Sequence, residues 1–185
     1  MKTLLLTASL VLLFGILFGF STASIAGVVE AIAQAFALST RATEMVVTSL
    51  LVGCFIGAAA AAPVSARIGR RPACLLAALL AIAGYILIPL GQGVAPGPGM
   101  LVAARILIGL GVGLSSMVVP MYAAEVTPAR HRGAVVSLFQ LAITVGILAG
   151  YAVPLALLGR ASWQQMLGAG VLIAAACGAI VLLLP

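Results

Sequence analysis

The chain contains no asparagine and no aspartate, and its only acids are Glu30, Glu44 and Glu125. Without asparagine there is no N-glycosylation acceptor. Three scattered glutamates and one histidine allow no carboxylate pair, no nucleophile–base pair and no metal-ligand spacing, so the sequence does not read as an enzyme. No cofactor and no metal site are implied. Cys54, Cys74 and Cys177 lie in separate apolar runs, as small packing residues and not as a disulfide framework. Charged residues make up only 6% of the 185 residues, with a net charge of +6. That balance raises nucleic acid as a partner. However, the cations stand singly or in short groups between apolar runs, and no basic face forms, so nucleic-acid binding is not expected.

What is abundant is apolar surface. The chain is 64% hydrophobic, with a mean hydropathy of +1.34. A soluble core of this size cannot hide so much, so the solvent is a lipid bilayer. Six apolar runs are long enough to cross it, at about 3–25, 45–64, 73–90, 100–126, 133–158 and 163–184. The first run, after Lys2, also reads as a signal peptide with small residues near Ala23 to Ala26. Its length and the spans that follow favour a first membrane helix. Residues 37–44 form a polar connection, and the loop Gln92 to Gly99 is rich in Gly and Pro and uncharged. With the N-terminus inside, the inner ends hold Lys2, Arg67, Arg70, Arg71, Arg130 and Arg132, and the outer ends hold Arg41 and Arg160. This satisfies the positive-inside rule and places both termini in the cytoplasm.

The densest stretch runs from Arg105 to Gly133. An arginine inside a membrane run costs about 2.5–3.5 kcal/mol and normally faces protein or a wet cavity. Gly109 and Gly113 stand at GxxxG spacing, which lets another helix approach closely. The same spacing occurs at Gly15/Gly19, Gly53/Gly57 and Gly146/Gly150. Gly15/Gly19 recurs 94 positions on as Gly109/Gly113, and Gly53/Gly57 recurs 93 positions on as Gly146/Gly150. Either GxxxG is common in any glycine-rich span, or the chain is a repeat of three helices. Because three is odd, a second copy would lie inverted, as in secondary transporters.

Three segments together resemble the sugar porter family of the major facilitator superfamily. They are Arg105 to Gly113, Pro120 to Gly133 with Tyr122, Glu125, Pro128 and Arg132, and Ser137 to Leu148 with Gln140 and Ile143. The loop Arg67-Ile-Gly69-Arg70-Arg71 is similar to the superfamily's loop between helices 2 and 3, and Gly15 to Phe20 resembles the family's first helix. The resemblance implies an all-α membrane protein, the N-terminal six-helix half of a twelve-helix transporter, built as two inverted three-helix repeats across residues 1–185. It implies a plasma (inner) membrane location and alternating-access transport of a small polar solute, a sugar first of all. The expected partners are that solute, the bilayer, and the C-terminal half or a second copy of this chain. An organic acid transporter and a non-transporting assembly or sensor protein are the alternatives. Most polar sugar contacts in the family come from the other half, so this chain alone is expected to bind sugar weakly.

Candidate residues follow from the match. Gln140 is the expected sugar contact, since an amide offers two donors and an acceptor to hydroxyls. Ile143, one turn on, shares its face. The bland alternative is that Gln140 bonds a neighbouring helix. Phe18 matches an aromatic near the family's site, or packs against lipid or core. Arg105 and Ser21 mark the coupling region. Proton-coupled members have an aspartate at the position of Ser21, facing the arginine, and serine cannot take and release a proton there. Alternatively, Arg105 is structural, bonding backbone carbonyls or Ser21. Glu125, Arg67, Arg70, Arg71 and Arg132 are expected to cluster at the inner face, either as a gate latch or as a positive-inside anchor. Ala66 and Gln164 stand where the family usually carries charge, and His131 reads as a solvated loop residue.

Overall fold

The structure is a computed structural model that describes residues 2–90 and 98–184. Its helices are α1 (Lys2–Ala23), α2 (Val29–Ala35), α3 (Thr40–Ile68), α4 (Arg70–Leu90), α5 (Pro98–Val126), α6 (Ala129–Leu157), α7 (Trp163–Gly168) and α8 (Gly170–Leu183). Among the described residues six spans are long and apolar enough to cross a membrane, with α7 and α8 forming the sixth together. Most of the expected loop at Gln92 to Gly99 and the Lys2 side chain lie outside the described residues.

Several helix ends differ from the expected bounds, each for a local reason. The second span begins at Thr40, not 45, because Ser39 caps it by accepting from the Ala42 amide at 3.4 Å. It runs on through Pro63 to Ile68, since a helix in lipid tolerates a proline whose freed carbonyl finds another partner. Gly69 ends it at φ 87°, a conformation that favours glycine. α4 starts at once at Arg70 and holds Pro72 in its first turn, where the missing N–H would be unpaired anyway. The fifth span begins at Ala129, so Arg130, His131 and Arg132 form its first turn. Placing His131 in a loop is therefore corrected, although it is exposed as expected.

Two features were not expected. The short helix α2 buries Ile32, and Phe36, which follows it, meets Trp163 edge-on with ring centroids 5.8 Å apart. The sixth span has a local irregularity at Ala169, which keeps right-handed helical dihedrals (φ −54°, ψ −25°). Its first segment, α7, is opened by a capping box in which Ser162 and Gln165 satisfy each other's backbone amides.

The packing pattern is symmetric. α1 lies along α6 and α3 lies along α5, while α4 packs on α5 as α8 packs on α1. Exchanging the first three spans for the last three leaves this pattern unchanged, as inverted repeats require. The spacing of the glycines now has a physical cause. A Cβ at Gly19 would reach the Ile147 amide nitrogen at 2.6 Å, and one at Gly113 would reach the Cys54 Cα at 2.7 Å. Across the seams Gly53 faces Gly109 and Gly19 faces Gly146, backbone against backbone, while Gly15 meets Ala142 and Gly150 meets Ala23. α5 is the most enclosed span, 61% buried along its window, and α6 is the least, at 28%. The second span carries large exposed apolar side chains, Phe55 and Leu51 among them.

Adding a methyl group at these seams forces backbones apart. Gly19→Ala and Gly113→Ala are expected to destabilise the chain by about 1–3 kcal/mol, the range for overpacking. Gly133→Ala meets nothing within 4 Å and should stabilise its helix by roughly 0.5–1 kcal/mol. Unfolding of the three variants in detergent, followed by helical signal, checks this order.

Candidate functional site

The polar residues of α6 share one face. At about 100° per residue, Ser137, Gln140, Thr144 and Tyr151 fall within an arc of roughly 60°, turned away from the buried line of Phe139, Ala142, Gly146 and Gly150 that meets α1. Gln140 is exposed, and among the described residues its side-chain amide has no hydrogen-bond partner. Thr144 Oγ1 donates to the Gln140 carbonyl at 3.3 Å, which keeps that hydroxyl on its own helix. Ile143 and Phe18 are half-buried and pack against the apolar core.

Arg105 takes the structural course. It is 2% exposed, its Nε donates to the Val46 carbonyl at 2.9 Å, and its Nη2 donates to the Val47 carbonyl at 3.4 Å. Both acceptors belong to α3. The Val46 carbonyl also accepts from Ser49 Oγ at 2.7 Å. Arg105 thus fastens α5 to α3 and is not on the exposed polar arc of α6. The three glutamates lie elsewhere: Glu30 in α2, Glu44 near the start of α3 and Glu125 at the end of α5, and all are exposed.

Ser21 is not hydrogen-bonded to Arg105. Its hydroxyl donates to the Leu17 carbonyl at 2.6 Å and lies 2.8 Å from Tyr85 Oη. Because the single serine proton is committed to Leu17, Tyr85 is the donor of the second bond. Tyr85 is 2% exposed and occupies the space that Gly170 leaves open. Sequence reasoning passed over Tyr85, yet a signal existed. A lone tyrosine inside an apolar span must find its hydroxyl a partner.

The expected inner cluster assembles only in part. Arg70 and Glu125 form a salt bridge at 3.1 Å, and Arg70 Nη1 also donates to Ser65 Oγ at 2.7 Å. This answers a carboxylate placed at the negative end of α5. Arg71 turns instead to α8, donating to the carbonyls of Val181 at 3.2 Å and Leu182 at 3.0 Å. Arg67 and Arg132 are exposed and, among the described residues, neither joins Glu125. A groove of about 550 Å³ lined by Pro89, Ser162, Gln164 and Leu172 contains none of the expected site residues.

These features define a membrane-embedded six-helix unit of major facilitator type, with one polar face left open. The comparisons specify the family. The profile of the family described as "Sugar (and other) transporter" matches residues 7–185. The galactose-proton symporter of Escherichia coli (strain K12) is 35% identical over 156 residues, which are 84% of this chain and 33% of the symporter. The glucose transporter GlcP of Staphylococcus epidermidis is 36% identical over 157 residues, 85% of this chain and 34% of that protein. A partially occluded, inward-open structure of the xylose transporter XylE from E. coli superposes with a TM-score of 0.89 at 31% identity, covering all of this chain and 49% of that one. The chain belongs to the sugar porter family of the major facilitator superfamily and has the fold of its N-terminal six-helix half. It spans about a third of the length of the curated relatives it matches.

The Ser21–Tyr85 pair yields a sharp expectation. Ser21→Ala leaves a buried phenol unpaired and should cost about 1–3 kcal/mol. Tyr85→Phe leaves Ser21 with its Leu17 partner and should cost less, about 0.5–1.5 kcal/mol. The double variant should be more stable than Ser21→Ala alone. A double-mutant cycle of unfolding in detergent measures this, and strict additivity would refute the assignment.

Proposed function

We propose that the chain is the N-terminal half of a transporter that carries a sugar across the plasma (inner) membrane by alternating access, with both termini cytoplasmic and residues 1–185 acting as one transmembrane domain. The observation that carries this reading is the unpartnered Gln140 amide on the polar arc of the least buried span. An amide with no partner is disfavoured against hydrocarbon by several kcal/mol, of order 4–8 on the cyclohexane scale. It is at home on the wall of a wet cavity, where Ile143 and Phe18 supply the apolar contact that a sugar ring takes. The relatives named for galactose, glucose and xylose support the substrate class. The organic-acid alternative needs Arg105 as a reachable counter-ion, and Arg105 is occupied inside the bundle. Arg70 with Glu125 supports a role at the inner gate. Arg67 and Arg132 are free to reach the second half from the same end.

Coupling is the finer point. Among the described residues Arg105 has no carboxylate partner, and the Ser21 and Tyr85 hydroxyls are bonded to each other. Among the described residues no carboxylate stands beside α1, and on this reading transport runs without protons through this site.

Proteoliposomes holding the chain and its second half test both claims. Uptake of labelled hexose should continue when the pH gradient is collapsed. Gln140→Ala should raise KM about threefold to tenfold, the worth of one net hydrogen bond. Uptake that vanishes with the gradient refutes the uncoupled reading. An unchanged KM removes Gln140 from the site, and competition by organic acids but not hexoses reassigns the substrate.

A further inference from the structure

The turn that follows α1 is buried before its hydrogen bonds are complete. α1 stops at Ala23, and residues 24–28 form a turn. Ser21, Ala23, Ser24 and Ile25 are all buried, Ser24 completely. The Ser24 amide still continues the helical ladder, donating to the Phe20 carbonyl at 2.9 Å. The next steps fail. Among the described residues the Ile25 amide reaches no carbonyl, and the Ala26 amide turns to Ala23 at 3.0 Å. The carbonyls of Ser21 and Thr22 therefore lack the donors that a longer helix would supply. The Ser24 hydroxyl is buried and also has no partner among the described residues.

A second deficit lies against the first. Pro154 stands inside α6 and has no N–H, so the Gly150 carbonyl lacks the bond that residue 154 gives in a regular helix. This is the part of α6 that the end of α1 touches. A Cβ at Gly150 would come within 3.1 Å of the Ser24 amide nitrogen and 3.2 Å of the Phe20 carbonyl oxygen, and one at Gly27 would strike the Pro154 ring. Unpaired donors and unpaired acceptors thus meet at one place. The donors are the Ile25 N–H and the Ser24 hydroxyl, and the acceptors are the carbonyls of Ser21 and Gly150. A cation answers only the oxygens. Water answers both kinds, and a buried water typically makes about three such bonds. Ordered water is also one of the means by which proline-broken helices in lipid satisfy their freed carbonyls.

We propose that a buried water molecule binds between the turn after α1 and the Pro154 turn of α6. It accepts from the Ile25 N–H and the Ser24 hydroxyl and donates to the carbonyls of Ser21 and Gly150, which uses both its protons and both its lone pairs. The site depends on the packing of α1 against α6 and not on what the chain transports.

Two measurements on the purified chain in detergent test the site. Microsecond hydroxyl-radical labelling marks side chains that lie beside bound water even when they are buried. In the wild-type chain Ile25 and Pro154 should be labelled well above Leu10 and Phe14, which are also buried. Ser24→Ala should remove that difference. The second measurement is unfolding. Ser24→Ala deletes a made bond and should raise the unfolding constant about threefold to tenfold, the worth of one net hydrogen bond. With Pro154→Ala already in place, which returns a donor to Gly150, the same change should cost less. Stabilisation by Ser24→Ala would overturn the site, because the hydroxyl would then have been bare. So would labelling of Ile25 and Pro154 no stronger than that of Phe14, or strict additivity of the Ser24 and Pro154 changes. Stabilisation by sodium chloride but not choline chloride, lost in Ser24→Ala, would make the ligand a cation and overturn it as well.

Discussion

Close backbone contact between the two repeats is the constraint from which the rest of this bundle follows. In lipid, apolar side chains gain little by leaving one hydrocarbon for another, so helices associate through packing and polar bonds. Here the packing is concentrated at two seams, α1 with α6 and α3 with α5, where glycines remove the side chains that would hold the helices apart. The seams set the distance between spans. They also fix which face of α6 is left over, and it is this remaining face that carries Ser137, Gln140 and Thr144.

Polar bonds complete what the seams begin. Arg105 reaches from the most enclosed span to two carbonyls of α3, close to the glycine seam those helices share. Ser21 and Tyr85 tie the first span to the third. Arg70 and Arg71 leave from adjacent positions in opposite roles, one to Glu125 on α5 and one to the end of α8. Among the described residues every span except the fifth is thus held by a named inter-span polar contact, and the fifth is held by glycine packing along α1. The span with the fewest internal ties is also the one with the open polar arc.

Much of this was legible in the residues. Hydropathy located six spans, and the recurring glycine pairs marked both the repeat and the seams, because GxxxG has one physical use here. Glu125 near a helix end required a cation, and Arg70 supplies it. What was not legible depended on direction. An arginine in a span must be paired, but its sequence position does not say whether it reaches Ser21 or the carbonyls of α3. The start of α3 at Thr40 was hidden because Ser39 reads equally as loop or cap. The need for a glycine at 170 was hidden because Gly168 and Gly170 are ordinary in a membrane helix until Tyr85 lies against one of them.

That last contact has a broader meaning. By the offset of the repeat, Tyr85 corresponds to Gly178, whose surroundings leave ordinary room, with Ala78 Cβ at 3.8 Å from the position of an added methyl. The third and sixth spans hold matching places in the repeat, yet one carries a bulky ring and the other a bare backbone there. The duplicated units are therefore no longer interchangeable. Residues 85 and 170 are therefore coupled in size: any side chain larger than hydrogen at 170 needs a smaller one at 85.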